Sequence, residues 1–268
     1  MPRHSDSPDK HRQIEVAAAV NDPKVLANCL ERSPAIASGR ARLRTYRGYA
    51  TAGLAYNQAL ADSDATYLVL VHQDVYLPSG LFDRLVEQLE LLDRMDPDWA
   101  VAGVIGLDED GAVRGQTWSS GLQLLVGSKV TVPKPATTLD EVLLVVRLAS
   151  DIRFDEHLPS FHLYATDIVQ IARHSGRGAY VIDAPVIHHS RAVVNLSGGY
   201  SAAYRYLQHK WRASLPLPNL ICPIQPSSLQ LRWRNMRMLI RNFGRTTRVD
   251  PPSDPVTIAK RLGLEDSV

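Results

Sequence analysis

Cysteine, long apolar runs and excess charge are scarce in this sequence. Its two cysteines, Cys29 and Cys222, lie far apart and form no C-x-x-C pair, so we expect reduced thiols in a cytosolic protein and no disulfide framework. No run approaches the roughly 20 apolar residues that a membrane-spanning helix needs. Residues 1–13 are polar, so neither a transmembrane helix nor a signal peptide is predicted. The formal net charge of +2 gives no overall attraction to nucleic acid.

Motifs of several common enzyme classes are also missing. The apolar run at 14–20 ends at a turn cluster, N-D-P, and lacks the glycine-rich turn of a dinucleotide-binding domain. The sequence contains no P-loop lysine motif, no G-x-S-x-G elbow and no H-E-x-x-H pair, which disfavours the common hydrolase and zinc-protease functions. The spacing of His157 and His162 does not suit a metal site, so we interpret both as loop histidines.

Apolar runs and helical patterns alternate over the first hundred residues. The runs at 14–20, 66–71 and 99–105 predict buried strands, and the helical spacing of apolar residues at 82–92 predicts a helix between the last two. A further apolar run at 141–147 predicts a second central strand. The alternation predicts an α/β fold in which a mainly parallel, mixed sheet is flanked by helices.

The rest of the chain has a different pattern. Residues 106–121 contain turn signals and predict loops, and the α/β alternation ends after Ser190. We therefore divide the chain into a flexible N-terminus (1–13), an α/β domain (14–190) and a helical C-terminal extension (191–268). The extension is expected to act as a lid, a membrane-surface contact or a subunit contact.

A basic amphipathic helix is predicted at 229–245 in this extension. Its apolar residues recur on one stripe, and its arginines lie off that stripe with no acidic residue between Ser227 and Arg248. Such a helix either lies on an anionic membrane surface or docks on its own domain or on a second subunit, as in a homodimer. The protein is accordingly expected in the cytoplasm, peripheral at the inner membrane face if the helix binds lipid.

The strongest functional signal is the strand end at His72-Gln73-Asp74. An apolar run rich in β-branched and aromatic residues stops there and brings a carboxylate to the surface. Because ligands of open α/β sheets bind at the C-terminal ends of strands, Asp74 is the first candidate for chemistry. Other polar groups follow predicted strands or begin a helix: Asp22, Asp167, His188 and His189.

The order and flanking sequence of these groups resemble the family 2 glycosyltransferases with a GT-A fold. The resemblance covers residues 14–190 and rests on the strand ending in Asn21-Asp22, on AGLAYNQAL around Asn57, on LVLVHQDVYLP and on RFDEHLPSFHLYATDIVQIARHSGRGAYVIDAPVIHHS. It is closest to a bacterial subgroup in which H-Q-D stands where most relatives carry D-x-D. The resemblance implies a GT-A-like (Rossmann-like) fold and an enzyme that moves a sugar from a nucleoside diphosphate sugar to a hydroxyl.

The resemblance also implies a divalent metal, Mn²⁺ or Mg²⁺. Asp74 matches the last aspartate of the family's metal motif, and His188 or His189 matches a histidine that meets the metal or the diphosphate. Neighbouring strand residues point to opposite sides, so one of the two is expected to face the site and the other the solvent, and we favour His188 as the inward one. His72 replaces the first carboxylate of the motif, and its imidazole either ligates manganese or bonds the ribose or a phosphate.

The donor is expected to be a UDP-sugar, by the same resemblance. Its predicted binding residues are Val20, Asn21, Asp22, Asn57, His72, Gln73 and Asp74, with Ala19 beside them. Asp22 either bonds the uracil or ribose or caps the helix that begins at Pro23. Asn57 either lies near the base or braces the H-Q-D loop.

Asp167 matches the family's catalytic aspartate and is the candidate general base, acting in a direct attack that would invert the anomeric centre. The alternative is an ordinary aspartate in the first turn of a helix, for which Thr166 is the candidate N-cap and Gly176 the end. Trp118 and Tyr164 are candidate platforms for the sugar or acceptor, or else core residues.

Two other functions stay open at this stage. A nucleotidyltransferase of similar fold would usually carry a glycine-rich loop and a lysine after the first strand, where this chain offers only Lys24. A catalytically degenerate binding module is the other, because the first metal carboxylate is missing. The acceptor of a transferase is expected to be a carbohydrate, a lipid-linked molecule or a small molecule, and not a nucleic acid.

Overall fold

The computed structural model describes residues 14–191, 193, 195–242 and 253–265. The predicted flexible N-terminus (1–13) and the end of the predicted basic helix, from Phe243 to Arg245, lie outside the described residues. In the part that is described, no helix combines the length and the apolarity needed to cross a membrane.

The elements run in the following order along the chain. The strands are β1 (Ile14–Ala19), β2 (Leu43–Tyr46), β3 (Tyr67–Val71), β4 (Val75–Tyr76), β5 (Val101–Gly103), β6 (Ile105–Leu107), β7 (Val113–Ser119), β8 (Leu124–Ser128), β9 (Lys134–Pro135), β10 (Thr138–Leu139), β11 (Leu143–Arg147), β12 (Ala179–Val181) and β13 (Val186–His188). The helices are α1 (Pro23–Asn28), α2 (Pro34–Ala37), α3 (Ala52–Asp62), α4 (Leu81–Met95), α5 (Tyr164–His174), α6 (Gly199–Lys210), α7 (Leu229–Asn242) and α8 (Pro255–Arg261).

The main sheet has the strand order β2-β1-β3-β11-β5-β12-β9. Strand β1 is parallel to β2 and β3, and β12 is parallel to β5. Strand β11, the predicted second central strand, is antiparallel to both of its neighbours, β3 and β5. The sheet is therefore mixed, and the predicted α/β fold is confirmed.

Helices cover both faces of this sheet. In β1, Ala17 faces a core cluster shared with α3, α5 and α6, whereas Val16 and Ala18 face a second cluster shared with α1 and α4. Because side chains alternate between the faces and both faces are covered, the strand needs apolar residues at nearly every position. This explains the continuous apolar runs in the sequence.

A second sheet has the order β10-β6-β7-β13-β4, and β8 pairs with β7. The prediction of loops for residues 106–121 is wrong over much of its length, because β6 and β7 pair there as antiparallel strands. The turn signals mark the hairpin instead: Gly111 has a φ of 75° and lies between the two strands. Strand β13 pairs with β4 in the same sheet, with His188 opposite Val75.

Helix α5 begins three residues earlier than predicted. Leu163, with a φ of 64°, precedes the helix, and Thr166 lies inside its first turn. The Thr166 hydroxyl is bonded instead to Thr138 and Asn219, at 3.0 and 2.9 Å. Gly176, with a φ of 72°, follows the helix as predicted.

Candidate active site

A cavity of about 540 Å³ lies at the C-terminal ends of β1, β2 and β3. Its lining includes five of the seven predicted donor-binding residues: Val20, Asn21, His72, Gln73 and Asp74. Ala19, named beside them, lines it as well. Because β1, β2 and β3 are parallel, their C-terminal ends meet at one edge of the sheet.

The last residue of β2 and the three residues after it complete this cavity and were not predicted. Tyr46, Arg47, Gly48 and Tyr49 line it, together with Pro23, Tyr56 and Phe161. The available signal was the run Y-R-G-Y directly after a strand, which combines aromatic rings with a guanidinium. To use that signal, one must know that β2 lies beside β1 and parallel to it, so that both strands end at the same edge of the sheet. Strand β2 has only four residues and is not recognisable in the sequence.

Gln73 holds two of these strand ends together. Its Oε1 accepts hydrogen bonds from the backbone N–H of Asn21, at 3.1 Å, and of Asp22, at 3.0 Å. Its Nε2 donates to the side-chain oxygen of Asn21. Gln73 therefore builds the cavity wall by joining β3 to the β1 turn.

Asp22 is a helix cap in this structure. Its Oδ1 accepts from the backbone N–H of Lys24, at 2.9 Å, and of Val25, at 3.3 Å. Those N–H groups have no partner inside α1, so the carboxylate satisfies them and interacts well with the positive end of the helix. Of the two roles left open for Asp22, the structure shows the cap.

His72, Asp74 and His188 form a cluster at one end of the cavity. His72 Nδ1 lies 4.0 Å, and His188 Nε2 3.5 Å, from Oδ1 of Asp74. One ligand atom from each residue lies within 4.8 Å of the other two. The pairing of β13 with β4 brings His188 here, whereas the His189 ring lies 3.3 Å from the Cys29 sulfur.

The His72 ring is oriented by Tyr164. The Tyr164 hydroxyl donates its one proton to the backbone carbonyl of Glu141, at 3.1 Å. In its contact with Nε2 of His72, also at 3.1 Å, the hydroxyl oxygen must therefore accept, so the imidazole proton lies on Nε2. The Nδ1 lone pair of His72 is then left for the cluster. Burial lowers the pKa of His72, which favours this neutral ring.

Asp74 and His188 support each other's charge. Burial alone would raise the pKa of Asp74, but the hydrogen bond and charge of His188 lower it to about 2. Burial alone would lower the pKa of His188, and the Asp74 carboxylate raises it instead. Once His188 gives up its proton, the cluster offers one carboxylate oxygen and two imidazole nitrogens.

This donor set fits a single divalent cation. Ligand atoms about 2.0 to 2.2 Å from one ion lie within about 4.4 Å of each other, and the observed separations need only a small adjustment to meet that limit. Within the described residues, this is the one group of three or more acidic, histidine or cysteine side chains with such spacing. With three protein ligands, coordination positions are left for oxygens of a bound molecule.

Two carboxylates beside the cluster were not predicted as site residues. The negative charge of Asp140 opposes the burial that lowers the pKa of His72, and it adds to the effect of Asp74, which raises the pKa of His188 against burial. Burial and, to a smaller extent, the charge of Asp140 raise the pKa of Glu141 to about 8. Hydrogen bonds from the backbone N–H groups at the start of α5 oppose this rise. The pair Asp140-Glu141 directly before β11 was the available signal.

Asp167 lies in a buried ion pair outside the cavity lining. It is 1% exposed, its Oδ2 is 2.8 Å from Nζ of Lys210, and its Oδ1 accepts from the Trp211 indole N–H at 2.7 Å. Lys210 also binds Asp155 at 2.7 Å. Burial raises the pKa of Asp167, and Lys210 opposes that rise. The structure places Asp167 at the contact between α5 and α6.

Asn57 is a brace for a different loop from the one predicted. Its side-chain oxygen accepts from the Phe154 N–H at 2.9 Å, and its Nδ2 donates to the Phe154 carbonyl and to Glu156, each at 2.9 Å. It therefore neither lines the cavity nor contacts the H-Q-D loop through these bonds. Gly53 allows this close approach, since a Cβ there would lie 2.3 Å from the Asp155 carbonyl oxygen.

The two predicted aromatic platforms are core residues in this structure. Trp118 is 8% exposed, packs against α8 and lies under the Arg261 guanidinium, 4.8 Å from its ring centroid. Tyr164 is 2% exposed and packs against Tyr56 and Phe154. Neither ring offers a face to a sugar, because α8 covers one and the core encloses the other.

We predict that Tyr164→Phe weakens divalent metal binding by about 10- to 100-fold, because the hydroxyl orients the metal-facing nitrogen of His72. Titration calorimetry with Mn²⁺ measures the effect. Tyr204→Phe is a matched control, since Tyr204 is equally buried and also donates to a backbone carbonyl, that of Pro223, outside the cluster. Equal affinities in both variants would contradict the orienting role.

Comparison with known proteins gives one match in sequence and several in structure. No protein-family model matches the chain. It is 31% identical, over 190 residues, to a Fuscovulum blasticum protein described as "ATP synthase subunits region ORF 6". The match covers 68% of this chain and 74% of that protein, and the description names a gene region and no activity.

The solved structures to which the chain is similar include three with bound nucleotides or nucleotide sugars. GalNAc-T7 with UDP, GalNAc and Mn²⁺ is 12% identical, with a TM-score of 0.46, over 94% of this chain and 58% of that one. The mannosyltransferase PcManGT from Pyrobaculum calidifontis with GDP-Man and Mn²⁺ is 13% identical, with a TM-score of 0.47, over 94% and 80%. S. aureus TarS 1-349 with UDP-GlcNAc is 12% identical, with a TM-score of 0.47, over 87% and 73%.

Proposed function

The chain belongs to the family of the ORF 6 protein from the ATP synthase subunits region of Fuscovulum blasticum. Because the description of that protein names no activity, we propose a function from the site itself. The protein is a glycosyltransferase that moves a sugar from a nucleoside diphosphate sugar to a hydroxyl acceptor. One observation carries this proposal: the cavity at the sheet edge ends on the cluster of His72, Asp74 and His188.

The cavity suits a nucleotide sugar in size and lining. Its volume of about 540 Å³ lies within the range of small-molecule sites, about 300 to 1,000 Å³. Tyr49, Tyr56 and Phe161 supply apolar walls for the base and ribose, and the exposed guanidinium of Arg47 suits a phosphate. The resemblance of the sequence to glycosyltransferases favours a UDP-sugar as the donor.

His72, Asp74 and His188 would hold the metal. A divalent cation bound there offsets negative charge on the diphosphate as the sugar leaves. Because two of the three ligands are imidazoles, we propose Mn²⁺ as the preferred ion, since Mg²⁺ favours oxygen ligands and near-ideal octahedral geometry. The oriented Nδ1 of His72 takes the place of the carboxylate that D-x-D relatives carry.

Transfer requires one bond to form as another breaks. The acceptor oxygen bonds the anomeric carbon, the bond from that carbon to the diphosphate oxygen breaks with its electron pair, and the hydroxyl proton passes to a base. A single in-line attack inverts the anomeric centre. The role of Asp167 as that base stays a prediction, and an acceptor would reach its carboxylate only after Lys210 and Trp211 move away.

Thermal unfolding with a panel of nucleotide sugars tests this function. We expect a UDP-sugar together with Mn²⁺ to raise the midpoint by about 5 °C at saturation, because a ligand that binds only the folded state stabilises it. Mg²⁺ should give a smaller shift, and release of UDP on adding an acceptor extract should follow. Stabilisation by nucleoside triphosphates alone would indicate a nucleotidyltransferase, and no shift at millimolar ligand would overturn the proposal.

A further inference from the structure

Helix α7 presents a stripe of apolar side chains to the solvent. The stripe consists of Leu229, Trp233, Met236 and Ile240, which are 70%, 52%, 51% and 67% exposed. Their spacing of four, three and four residues places them on one face of the helix. Leu239, 53% exposed, widens the stripe. Side chains of this size normally lie in a core or at a contact.

The helix is held to the domain by its other face. Leu231 is 5% exposed, and Met238 packs against the main core cluster. The side-chain oxygen of Asn235 accepts from the backbone N–H of Leu196 at 2.8 Å. Among the residues that the structure describes, docking of α7 on its own domain therefore does not bury the stripe, which is exposed for contact with a partner.

Positive charge surrounds the stripe. Arg232, Arg237 and Arg241 are exposed, and the Arg237 guanidinium stacks over the Trp233 ring at 4.5 Å from its centroid. The sequence contains no acidic residue from 226 to 249. A groove of about 610 Å³ beside the stripe is lined by apolar side chains and by three arginines of α7. The partner must therefore be apolar and anionic together.

A second copy of this chain does not meet that requirement. In a two-fold dimer the same surface meets itself, so arginines of one helix would face arginines of the other with no carboxylate on either helix to compensate. Like charges held together in this way oppose association. An anionic lipid surface offers phosphates at the level of the arginines and acyl chains at the level of the stripe.

We propose that α7 binds the surface of an anionic phospholipid bilayer with this stripe turned toward the acyl chains. The helix lies flat, with Trp233 in the interfacial region and the arginine stems extending to the phosphates. The binding is peripheral. It requires both the apolar stripe and the arginines, and it does not depend on the proposed sugar transfer.

Co-sedimentation of the full chain with vesicles tests this binding. We expect binding to vesicles of phosphatidylcholine with phosphatidylglycerol, weaker binding at high salt, and little binding to phosphatidylcholine alone. Replacing Arg232, Arg237 and Arg241 together by glutamine should lower the partition coefficient by about 100-fold, since each basic residue near an anionic surface contributes roughly fivefold. The matched control replaces three exposed arginines elsewhere, Arg94, Arg205 and Arg212, by glutamine.

A second pair of variants tests the apolar stripe. Trp233→Glu with Ile240→Glu should abolish vesicle binding. Leu122→Glu with Leu124→Glu, at exposed positions in the turn before β8 and at its first residue, should leave it unchanged. Circular dichroism and the thermal unfolding midpoint without ligand show that each variant is folded. Any of three results would overturn the proposal. One is equal binding to neutral and anionic vesicles, and another is an equal loss of binding in the two triple arginine-to-glutamine variants. The third is a dimer that only the variant carrying Trp233→Glu fails to form.

Discussion

Asp74→Asn is expected to lower the rate of the proposed sugar transfer about 1000-fold, because it removes the one carboxylate among the three cluster residues. Loss of one preorganised electrostatic group at a reacting centre costs about 100- to 1000-fold, and here the variant also loses a metal ligand. The fold should persist, since asparagine has nearly the same shape and the bond from the His189 N–H is to the Asp74 backbone carbonyl, at 2.8 Å.

The measurement is kcat/KM for transfer, with Mn²⁺ affinity and the unfolding midpoint measured on the same preparation. Asp183→Asn is a matched control, because Asp183 also follows a strand, β12, but pairs with Arg84 at 3.8 Å and does not line the cavity. Its rate should stay within about twofold of the parent, as for most surface substitutions away from a site. An Asp74 variant that retains a tenth of the rate and full Mn²⁺ affinity would exclude the cluster as the metal site.

Asp167→Asn is expected to lower the free energy of unfolding by about 3 kcal/mol, because it breaks a buried ion pair from one side. The carboxylate is 1% exposed and accepts from both Lys210 and Trp211. In the variant, an amide NH₂ replaces one carboxylate oxygen. This NH₂ is a donor and would face either the Lys210 ammonium or the Trp211 indole N–H, which are donors too. Lys210 keeps its contact with Asp155, which limits the loss.

Urea unfolding measures this change. Asp151→Asn is the control, since Asp151 pairs with Arg153 at 2.8 Å but its side chain is 84% exposed, and exposed pairs contribute at most about 1 kcal/mol. If Asp167 has only the structural role that its two occupied oxygens indicate, kcat of the folded variant should fall less than tenfold. A loss of kcat beyond 1000-fold with donor binding intact would establish the predicted base, and an unchanged unfolding free energy would refute the structural role.

The main residues of the candidate site could be predicted because they follow recognisable strands. Val20, Asn21, His72 and Gln73 end buried apolar runs, and parallel strands bring such ends to one edge. Strand alternation indicated that only one of His188 and His189 faces the site, and the structure places His188 beside His72 and Asp74. These predictions used only local patterns and one rule of sheet topology.

The failures share a different property. Asn57 was assigned to the nucleotide or to the H-Q-D loop, but its partners lie at residues 154–156. Trp118 was a candidate platform, but α8, far along the chain, covers it. In each case the side chain type was noticed and its environment was set by a distant segment. A polar or aromatic residue is compatible with both a site and a core, and only its neighbours distinguish them.

The sequence by itself determined the α/β class and the strand ends that carry polar groups, since buried parallel strands require continuous apolar runs and such runs are visible locally. Only the tertiary structure decided that His72, Asp74 and His188 meet, that Asp167 is paired with Lys210, and that the stripe of α7 faces outward. These outcomes depend on which distant segments pack together. Packing of that kind results from the sum of many weak contacts and leaves no short pattern in the sequence.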